Sequence, residues 1–183
     1  RMAFEFKSLS LPGVQVAIQD VYRDERGYLL ESFDKSVFSD AGIGEEFVLD
    51  FYSKSQKNTI RGLHIQDGPA AQAKLVHVIE GKVFDVIVDV RRDSNCFGEY
   101  ITRTLSGKNK EVIYVPEGFA HGYLVQEDDT IVHYKGSHEY TPKHICGLAW
   151  DDPYLDIEWP IDCEPIVSDQ DANWPTLEEW RND

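Results

Sequence analysis

Two apolar runs, Lys74–Glu80 and Val83–Val90, constrain the fold of this chain more than any other feature. Both have the length of a strand, and Gly81 lies between them, which predicts a β-hairpin. Similar short runs, broken by Gly, Pro, Asp and Asn, recur along the chain and are typical of an all-β protein. The other predicted strands are Val14–Ile18, Tyr28–Phe33, Phe47–Ser55, Thr59–Ile65, Glu99–Leu105, Val112–Val115, Gly122–Val125 and Thr130–Tyr134.

Helices are expected to be few and short. Asp34 is a candidate N-cap for a helix over Lys35–Ala41, and Gly42 is a candidate stop. Pro175–Trp180 is a candidate terminal turn. The chain of 183 residues contains no internal repeat, so we expect a single domain over residues 1–183. Many strands around one core predict a sandwich or a jelly-roll barrel.

The second run alternates in a way that bears on function. Its odd-numbered positions mix Asp85 and Asp89 with aliphatic residues, whereas its even-numbered positions are all apolar and must face a core. An unpaired buried carboxylate costs several kcal/mol. Asp85 therefore either lines a wet pocket, or meets a cation, or lies on a solvated sheet face, and the pattern does not choose between these.

Charge and cysteine content exclude some classes of protein. A formal net charge of −15 argues against a nucleic-acid partner, because binding phosphates requires clustered Lys and Arg. All apolar runs are too short to span a membrane. The three cysteines, Cys96, Cys146 and Cys163, form no CxxC pair and suggest free thiols. Residues 1–13 contain no secretory apolar run, so we expect a cytoplasmic protein.

Several predicted strands carry groups that could move a proton next to a carbonyl: His64, Lys74, His121 and Tyr134. Each also has an ordinary structural interpretation, such as a hydrogen-bonded histidine, a snorkelling lysine or a buried tyrosine. We expect no metal and no cofactor, because the six histidines form no His-x-His pair and no nucleotide-binding glycine loop is present. A metal-dependent β-barrel enzyme stays open as an alternative.

Spaced motifs from about Val14 to Asp171 carry a family resemblance. They are Asp24-Glu25-Arg26-Gly27 with Glu31, Arg61-Gly62-Leu63-His64 with Gln66, Lys74-Leu75-Val76, Val83-Phe84-Asp85-Val86, Pro116 to Gly122, Tyr134-Lys135, Trp150-Asp151-Asp152-Pro153, Ile157-Glu158-Trp159-Pro160, and Ser168 with Asp171. With these motifs the chain resembles the dTDP-4-dehydrorhamnose 3,5-epimerase family. The resemblance implies a cupin-type jelly roll of two antiparallel sheets, a homodimer, no metal, and a role in cytoplasmic nucleotide-sugar synthesis for polysaccharides.

The resemblance also implies roles for individual residues. The substrate would be a nucleoside-diphosphate 4-keto-6-deoxysugar, whose ketone acidifies the hydrogens on C3 and C5. His64 would be the base, Asp171 its brace, Lys74 the group that stabilises the enolate, and Tyr134 the acid on the opposite face. The residues implied in substrate binding are Arg26, Glu31, Arg61, Lys74, Asp85, His121 and Tyr140.

Departures from the family pattern leave the nucleotide open. Leu49 and Phe51 replace two amides, Gln170 replaces a basic residue, and Ile145 aligns with a glutamate. Leu29 replaces an aromatic residue. Two alternatives follow: an epimerase acting at C3 or C5 alone on another nucleotide, such as a CDP- or GDP-linked sugar, or a jelly roll that binds nucleotide sugars without catalysis.

Overall fold

A computed structural model describes residues 4–182, so the ends of the predicted domain, residues 1–3 and 183, lie outside the described residues. The strands are β1 (Phe4–Ser8), β2 (Gln15–Gln19), β3 (Val21–Asp24), β4 (Gly27–Leu30), β5 (Leu49–Ser55), β6 (Ile60–Gln66), β7 (Lys74–Glu80), β8 (Lys82–Asp89), β9 (Tyr100–Ser106), β10 (Glu111–Val115), β11 (Phe119–Val125), β12 (Thr130–Gly136) and β13 (Ile145–Gly147). The helices are α1 (Lys35–Asp40) and α2 (Leu177–Asn182), with short 3-10 turns at Gly68–Ala70, Pro142–His144 and Asp171–Asn173. Neither α-helix of this part of the chain is long or apolar enough to cross a bilayer.

Two antiparallel sheets make up most of the structure. A six-stranded sheet has the order β1-β2-β10-β7-β12-β5, and a five-stranded sheet has the order β13-β6-β11-β8-β9. Within residues 4–182, strands β3 and β4 pair only with each other. The prediction of an all-β jelly roll of two antiparallel sheets with short helices is therefore confirmed.

The predicted hairpin between Lys74–Glu80 and Val83–Val90 is wrong. Both segments are strands, but β7 belongs to the six-stranded sheet and β8 to the five-stranded sheet. Gly81 is the corner between the sheets: its φ is +83°, and a Cβ there would lie 2.1 Å from Oγ1 of Thr130. Gly81 redirects the chain because its positive φ and its close contact with Thr130 both require a residue without a side chain. The apolar periodicity of a strand does not reveal which strands are its neighbours.

Strand β8 has a core on each of its faces. Val83 and Ile87 point between the sheets and join the central cluster. Val86 and Val88 point outward and pack beneath the C-terminal segment, in a second cluster that includes Leu155 and other residues of that segment. The predicted alternation is thus confirmed, and Asp85 faces the interior between the sheets rather than solvent.

Two local features place catalytic candidates. Gly62 in β6 has a φ of +131°, and a Cβ there would lie 2.6 Å from Cα of Gly122 in β11. The close approach occurs at a register irregularity next to the pairing of His121 with His64. Beyond β13 the chain runs back to β6, where the 3-10 turn at Asp171–Asn173 contacts that strand. The tight glycine pair therefore aligns the two histidines, and the C-terminal segment brings a carboxylate to them.

The predicted N-terminus of the first helix is confirmed, and the helix ends at Asp40, one residue before the predicted Ala41. The Asp34 carboxylate accepts hydrogen bonds from the backbone amides of Ser36, at 2.8 Å, and Val37, at 3.2 Å. Gly42, with a φ of +88°, follows the last turn. The second predicted helix starts later than expected, at Leu177 rather than Pro175.

Candidate active site

The space between the sheets contains two adjoining chambers. An inner chamber encloses about 170 Å³, and an outer chamber, about 410 Å³. Both are lined by Phe51, His64 and Lys74. The inner chamber is also lined by Ser53, Arg61, His121, Tyr123 and Tyr134, and the outer chamber by Leu49, Gln72, Tyr140, Ile145 and Gln170. A small polar hollow that opens into a larger one suits a ligand with two chemically different parts.

The inner chamber has one wall from each sheet. The five-stranded sheet supplies Arg61 and His64 from β6 and His121 and Tyr123 from β11. The six-stranded sheet supplies Phe51 and Ser53 from β5, Lys74 from β7 and Tyr134 from β12. Groups on the two walls can therefore approach a ligand from opposite sides.

His64 is braced by a carboxylate from the far end of the chain. Its Nε2 lies 2.5 Å from Oδ1 of Asp171, a residue 107 positions later in the sequence. The other oxygen of this carboxylate accepts a hydrogen bond from the amide of Gly62 at 3.0 Å, and Oδ1 also accepts one from the indole of Trp174 at 3.0 Å. A proton on Nε2 leaves the lone pair of the neutral ring on Nδ1, where it can act as a base.

The surroundings of Asp171 keep it charged. Burial raises its pKa, but the hydrogen bonds from His64, Gly62 and Trp174 outweigh burial and lower the pKa below the ordinary value of 3.8. A permanent negative charge beside the imidazole stabilises the imidazolium that forms when the ring accepts a proton.

Lys74 is a cation in a poorly solvated place. Burial lowers the pKa of Lys74 to about 8, although the nearby negative charge of Asp85 offsets part of this effect. Its side chain forms no salt bridge within residues 4–182 and lines both chambers. An ammonium group so placed is available to a negative charge that develops on a ligand.

Tyr134 is held by two other aromatic residues. Its ring stacks on Phe51, its register partner in β5, with centroids 4.6 Å apart and planes 7° from parallel. Its hydroxyl donates a hydrogen bond to the hydroxyl of Tyr123. Burial and the neighbouring Tyr123 raise the pKa of Tyr134 well above 10.0, so the phenol carries its proton at neutral pH.

A second histidine–carboxylate pair lies deeper in the same wall. Nε2 of His121 is 2.7 Å from Oδ2 of Asp85, and both side chains are buried. Burial raises the pKa of Asp85, against the opposing charges of His121 and Lys74. Its Oδ1 has no hydrogen-bond partner among the described residues. Of the options left open by the sequence, Asp85 thus meets basic groups beside a pocket.

The other predicted binding residues differ in their location. Arg61 lines the inner chamber, where its Nε donates to Oγ of Ser55 at 2.9 Å, and Tyr140 lines the outer chamber. Arg26 and Glu31 line neither chamber. Arg26 is in the turn between β3 and β4 and pairs with Asp24 there, and Glu31 directly follows β4. The structure thus assembles most of the predicted site from one chain and leaves these two outside it.

Two residues that line the inner chamber, Ser53 and Tyr123, were not predicted from the sequence. Their hydroxyls lie 3.0 Å apart. Tyr123 lies in the predicted strand Gly122–Val125, two positions after His121. Had the strand been predicted to begin at or before His121, its alternation would have placed both side chains on one face. The hydrogen bond between Tyr123 and Ser53 joins the two sheets, and no sequence pattern predicts a contact of this kind.

Most of the residues that depart from the family pattern line the outer chamber. Leu49, Phe51, Ile145 and Gln170 all line the outer chamber. Leu29, by contrast, is exposed on β4 and lines neither chamber. The deviations therefore concern the larger hollow and leave the polar groups of the inner chamber intact.

Within residues 4–182, no group of three or more His, Cys, Asp or Glu side chains is arranged to hold a metal ion. The expectation of a protein without metal or cofactor stays a prediction. The three cysteines are free thiols: Cys96 and Cys146 are partly buried, and Cys163 is exposed.

The fold and the chambers define a cupin-type jelly-roll protein with a pocket lined by titratable side chains. The family model described as dTDP-4-dehydrorhamnose 3,5-epimerase matches residues 8–179. A protein of that name from Methanothermobacter thermautotrophicus is 42% identical over 178 residues, which cover 96% of each chain. The chain belongs to the dTDP-4-dehydrorhamnose 3,5-epimerase family, and the sequence-based recognition is confirmed.

Solved structures agree with this placement. The dTDP-6-deoxy-D-glucose-3,5-epimerase of Legionella pneumophila, in complex with dTDP-4-keto-L-rhamnose, matches with a TM-score of 0.93 and 36% identity over 96% of this chain and 94% of that one. A 3'-monoepimerase from Streptomyces bikiniensis, in complex with dTDP-quinovose, matches with a TM-score of 0.88 and 31% identity over 93% and 86% of the two chains. The fold thus accompanies epimerases described for one sugar carbon and for two.

Proposed function

We propose that this protein inverts C3 and C5 of a nucleoside-diphosphate 4-keto-6-deoxysugar by removing and returning protons through an enolate. The observation that carries the proposal is the placement of His64 and Tyr134 on opposite walls of the inner chamber. A base on one side and an acid on the other is the arrangement that inverts a carbon centre rather than restoring it.

The base side of the reaction follows from the tautomer of His64. With Nε2–H directed to Asp171, Nδ1 takes the proton from the carbon next to the ketone, and the electron pair moves onto the ketone oxygen. Lys74 stabilises the resulting enolate with its positive charge. The carboxylate of Asp171 then stabilises the imidazolium.

The acid side completes the inversion. Tyr134, which keeps its proton at neutral pH, donates it to the carbon from the face opposite His64, and the enolate electrons form the new C–H bond. Because C3 and C5 flank the ketone, the same base and acid serve both carbons after the ring shifts. General acid–base help of this kind is worth about 10² to 10⁴ in rate for each group.

The direct test is deuterium exchange. The protein is incubated in heavy water with a dTDP-4-keto-6-deoxyhexose, and hydrogen at C3 and C5 is followed by NMR. We expect deuterium at both carbons and inverted configuration at both. Binding of the nucleotide sugar without exchange would instead establish the non-catalytic alternative.

A single-site epimerase is the second candidate, and the outer chamber is the observation that favours it. Leu49, Phe51 and Ile145 make much of that chamber apolar, and these three side chains offer no hydrogen bond to a nucleotide or to a sugar that must shift between two positions. Site-resolved exchange with dTDP-, CDP- and GDP-linked 4-keto sugars separates the candidates, since deuterium at one carbon only supports the second.

We further propose a homodimer in the cytoplasm, with a role in supplying deoxysugars for polysaccharides. The location of Arg26 and Glu31 outside the chambers supports the dimer, because the β3–β4 segment of one copy can complete the site of another. The cytoplasmic location rests on the free thiols. Sedimentation should give twice the mass of one chain. Mixing the inactive variants Arg26→Ala and His64→Asn should restore part of the activity, and a monomer or a mixture without activity would contradict this arrangement.

A further inference from the structure

A chain of three hydroxyl groups stands behind the proposed acid. The Tyr134 hydroxyl donates to the Tyr123 hydroxyl, which lies 3.0 Å from Oγ of Ser53. Tyr123 comes from the five-stranded sheet, whereas the other two come from the six-stranded sheet, so the chain crosses the barrel interior. Tyr123 is 1% exposed, and Ser53 is half-buried at the wall of the inner chamber.

The direction of the first bond creates a problem for catalysis. In the resting arrangement the Tyr134 proton points to Tyr123, away from any carbon in the chamber. After Tyr134 has donated a proton to the substrate, it must also recover one before it can serve a second carbon. Tyr134 is buried, and a sugar that fills the inner chamber would cover its remaining exposed surface, so recovery needs a path through neighbouring side chains.

We propose that Tyr123 is a positioning and proton-relay residue that reloads Tyr134 while the sugar stays bound. This inference rests on the proposed function. When the new C–H bond forms, the O–H bond of Tyr134 breaks, and Tyr123 turns its own proton to the Tyr134 oxygen. Tyr123 takes a proton from Ser53, and Ser53 takes one from solvent water, which becomes hydroxide and recovers its proton from the imidazolium of His64 through solvent.

The surroundings of the chain favour this role. Arg61 lines the same chamber, and its positive charge opposes the effect of burial, which raises the pKa of Tyr123 and of Tyr134. A guanidinium near both phenols stabilises a phenolate that exists briefly on either. Phe51, stacked on the Tyr134 ring, keeps the phenol in line with Tyr123.

Tyr123→Phe removes the relay and keeps the ring. We expect kcat to fall about 10- to 100-fold, the value of a hydrogen bond to a charged group, with KM within about twofold of wild type. Product labelled with deuterium at one carbon should accumulate, because the first inversion proceeds and the second waits for Tyr134. A purely structural role would not produce this intermediate. Unchanged kcat and labelling would overturn the inference.

A double-mutant cycle sharpens the test. If Tyr123 acts through Tyr134, then Tyr123→Phe costs nothing further in a Tyr134→Phe background, whereas two independent effects multiply. Multiplied losses would contradict the relay. Tyr100→Phe is the matched control, since that hydroxyl lies on the same sheet but contacts the carbonyl of Asp156 outside the chambers. Its turnover should equal that of wild type.

Ser53→Ala covers the case in which Tyr123→Phe does not fold. This variant leaves the pair of phenols in place and cuts only the distal link, so we expect a several-fold lower kcat and the same singly labelled intermediate. Wild-type behaviour of Ser53→Ala would refute the relay. Failure of the proposed function is recognised separately, because then the wild-type protein itself introduces no deuterium.

Discussion

The inner and outer chambers are built on different principles. In the inner chamber polar side chains are held by partners in the protein: His64 by Asp171, His121 by Asp85, and Tyr134 by Tyr123. In the outer chamber Leu49, Phe51 and Ile145 offer apolar surface instead, and Tyr140 is exposed at its edge. The smaller hollow is thus preorganised for chemistry, and the larger is a surface for contact.

The two chambers differ in how well they tolerate substitution. A change of a paired inner residue leaves a buried polar group without a partner, which costs stability as well as catalysis. A change on the outer walls replaces one contact by another. Four of the five departures from the family pattern, Leu49, Phe51, Ile145 and Gln170, lie in the outer chamber, where this cost is absent.

The largest effect on catalysis is expected for a change of His64 in the inner chamber. His64→Asn should lower the rate of exchange at both carbons by about 10²- to 10⁴-fold, because it removes the base. Affinity for the nucleotide should stay within about twofold, since the other residues that line the outer chamber are unchanged. Steady-state kinetics and binding calorimetry measure the two quantities. His138→Asn, outside both chambers, is the control, and a similar loss in both variants would show that His64 has no special role.

Asp171→Asn should have a smaller effect of the same kind. The imidazole stays in place but loses the charge that stabilises its protonated form, so we expect kcat to fall roughly 10- to 100-fold, the value of a hydrogen bond to a charged group. Nucleotide affinity should be near normal. Asp169→Asn changes an exposed carboxylate two positions earlier and should turn over like wild type. Turnover of Asp171→Asn equal to that of the control would remove the brace from the mechanism.

Lys74 lines both chambers, and its lowered pKa predicts that kcat/KM depends on pH. Its pKa of about 8 lies below the ordinary 10.5, so the free enzyme loses this positive charge as pH rises through 8. We expect kcat/KM to fall on the alkaline side, by about tenfold for each further pH unit. Lys74→Arg should move this limb to higher pH, whereas Lys54→Arg, at the surface, should leave it in place. An alkaline limb that is the same in all three proteins would contradict the assignment.

The smallest effect is expected in the outer chamber. Leu49→Gln adds an amide that can hydrogen-bond to a nucleotide, so KM for a dTDP-linked substrate should fall about fivefold, the value of about 1 kcal/mol. The kcat should stay within about twofold. Ile79→Gln makes the same change at an exposed position of β7 outside the chambers. A shift of kcat as large as that of KM would show that the chambers are not separate in function.

Local pattern predicted much of the fold. The alternation of Val83–Val90 assigned the faces of β8 correctly, and Asp34 and Gly42 marked the ends of the first helix. The same patterns failed for the hairpin at Gly81, because the strand period describes one strand at a time and says nothing about its neighbour. The strands β1, β3 and β13 were not predicted at all.

The candidate site divides in the same way. The order of the motifs predicted that His64, Lys74 and Tyr134 belong to one site, and all three line the inner chamber. Tyr123 and Ser53 were missed because their importance lies in a contact between sheets. Arg26 and Glu31 carry the expected residue types but lie elsewhere in this chain, so their role stays a prediction.

Strand content, the alternation of polar and apolar faces, and the residue types available for proton transfer could all be predicted from the sequence, because they depend on residues a few positions apart. The contact of Asp171 with an imidazole 107 positions earlier, and the hydrogen bond between sheets from Tyr134 to Tyr123, became evident from the three-dimensional structure alone. Such contacts arise when whole sheets pack face to face, and the free energy of that packing belongs to no single segment of the chain.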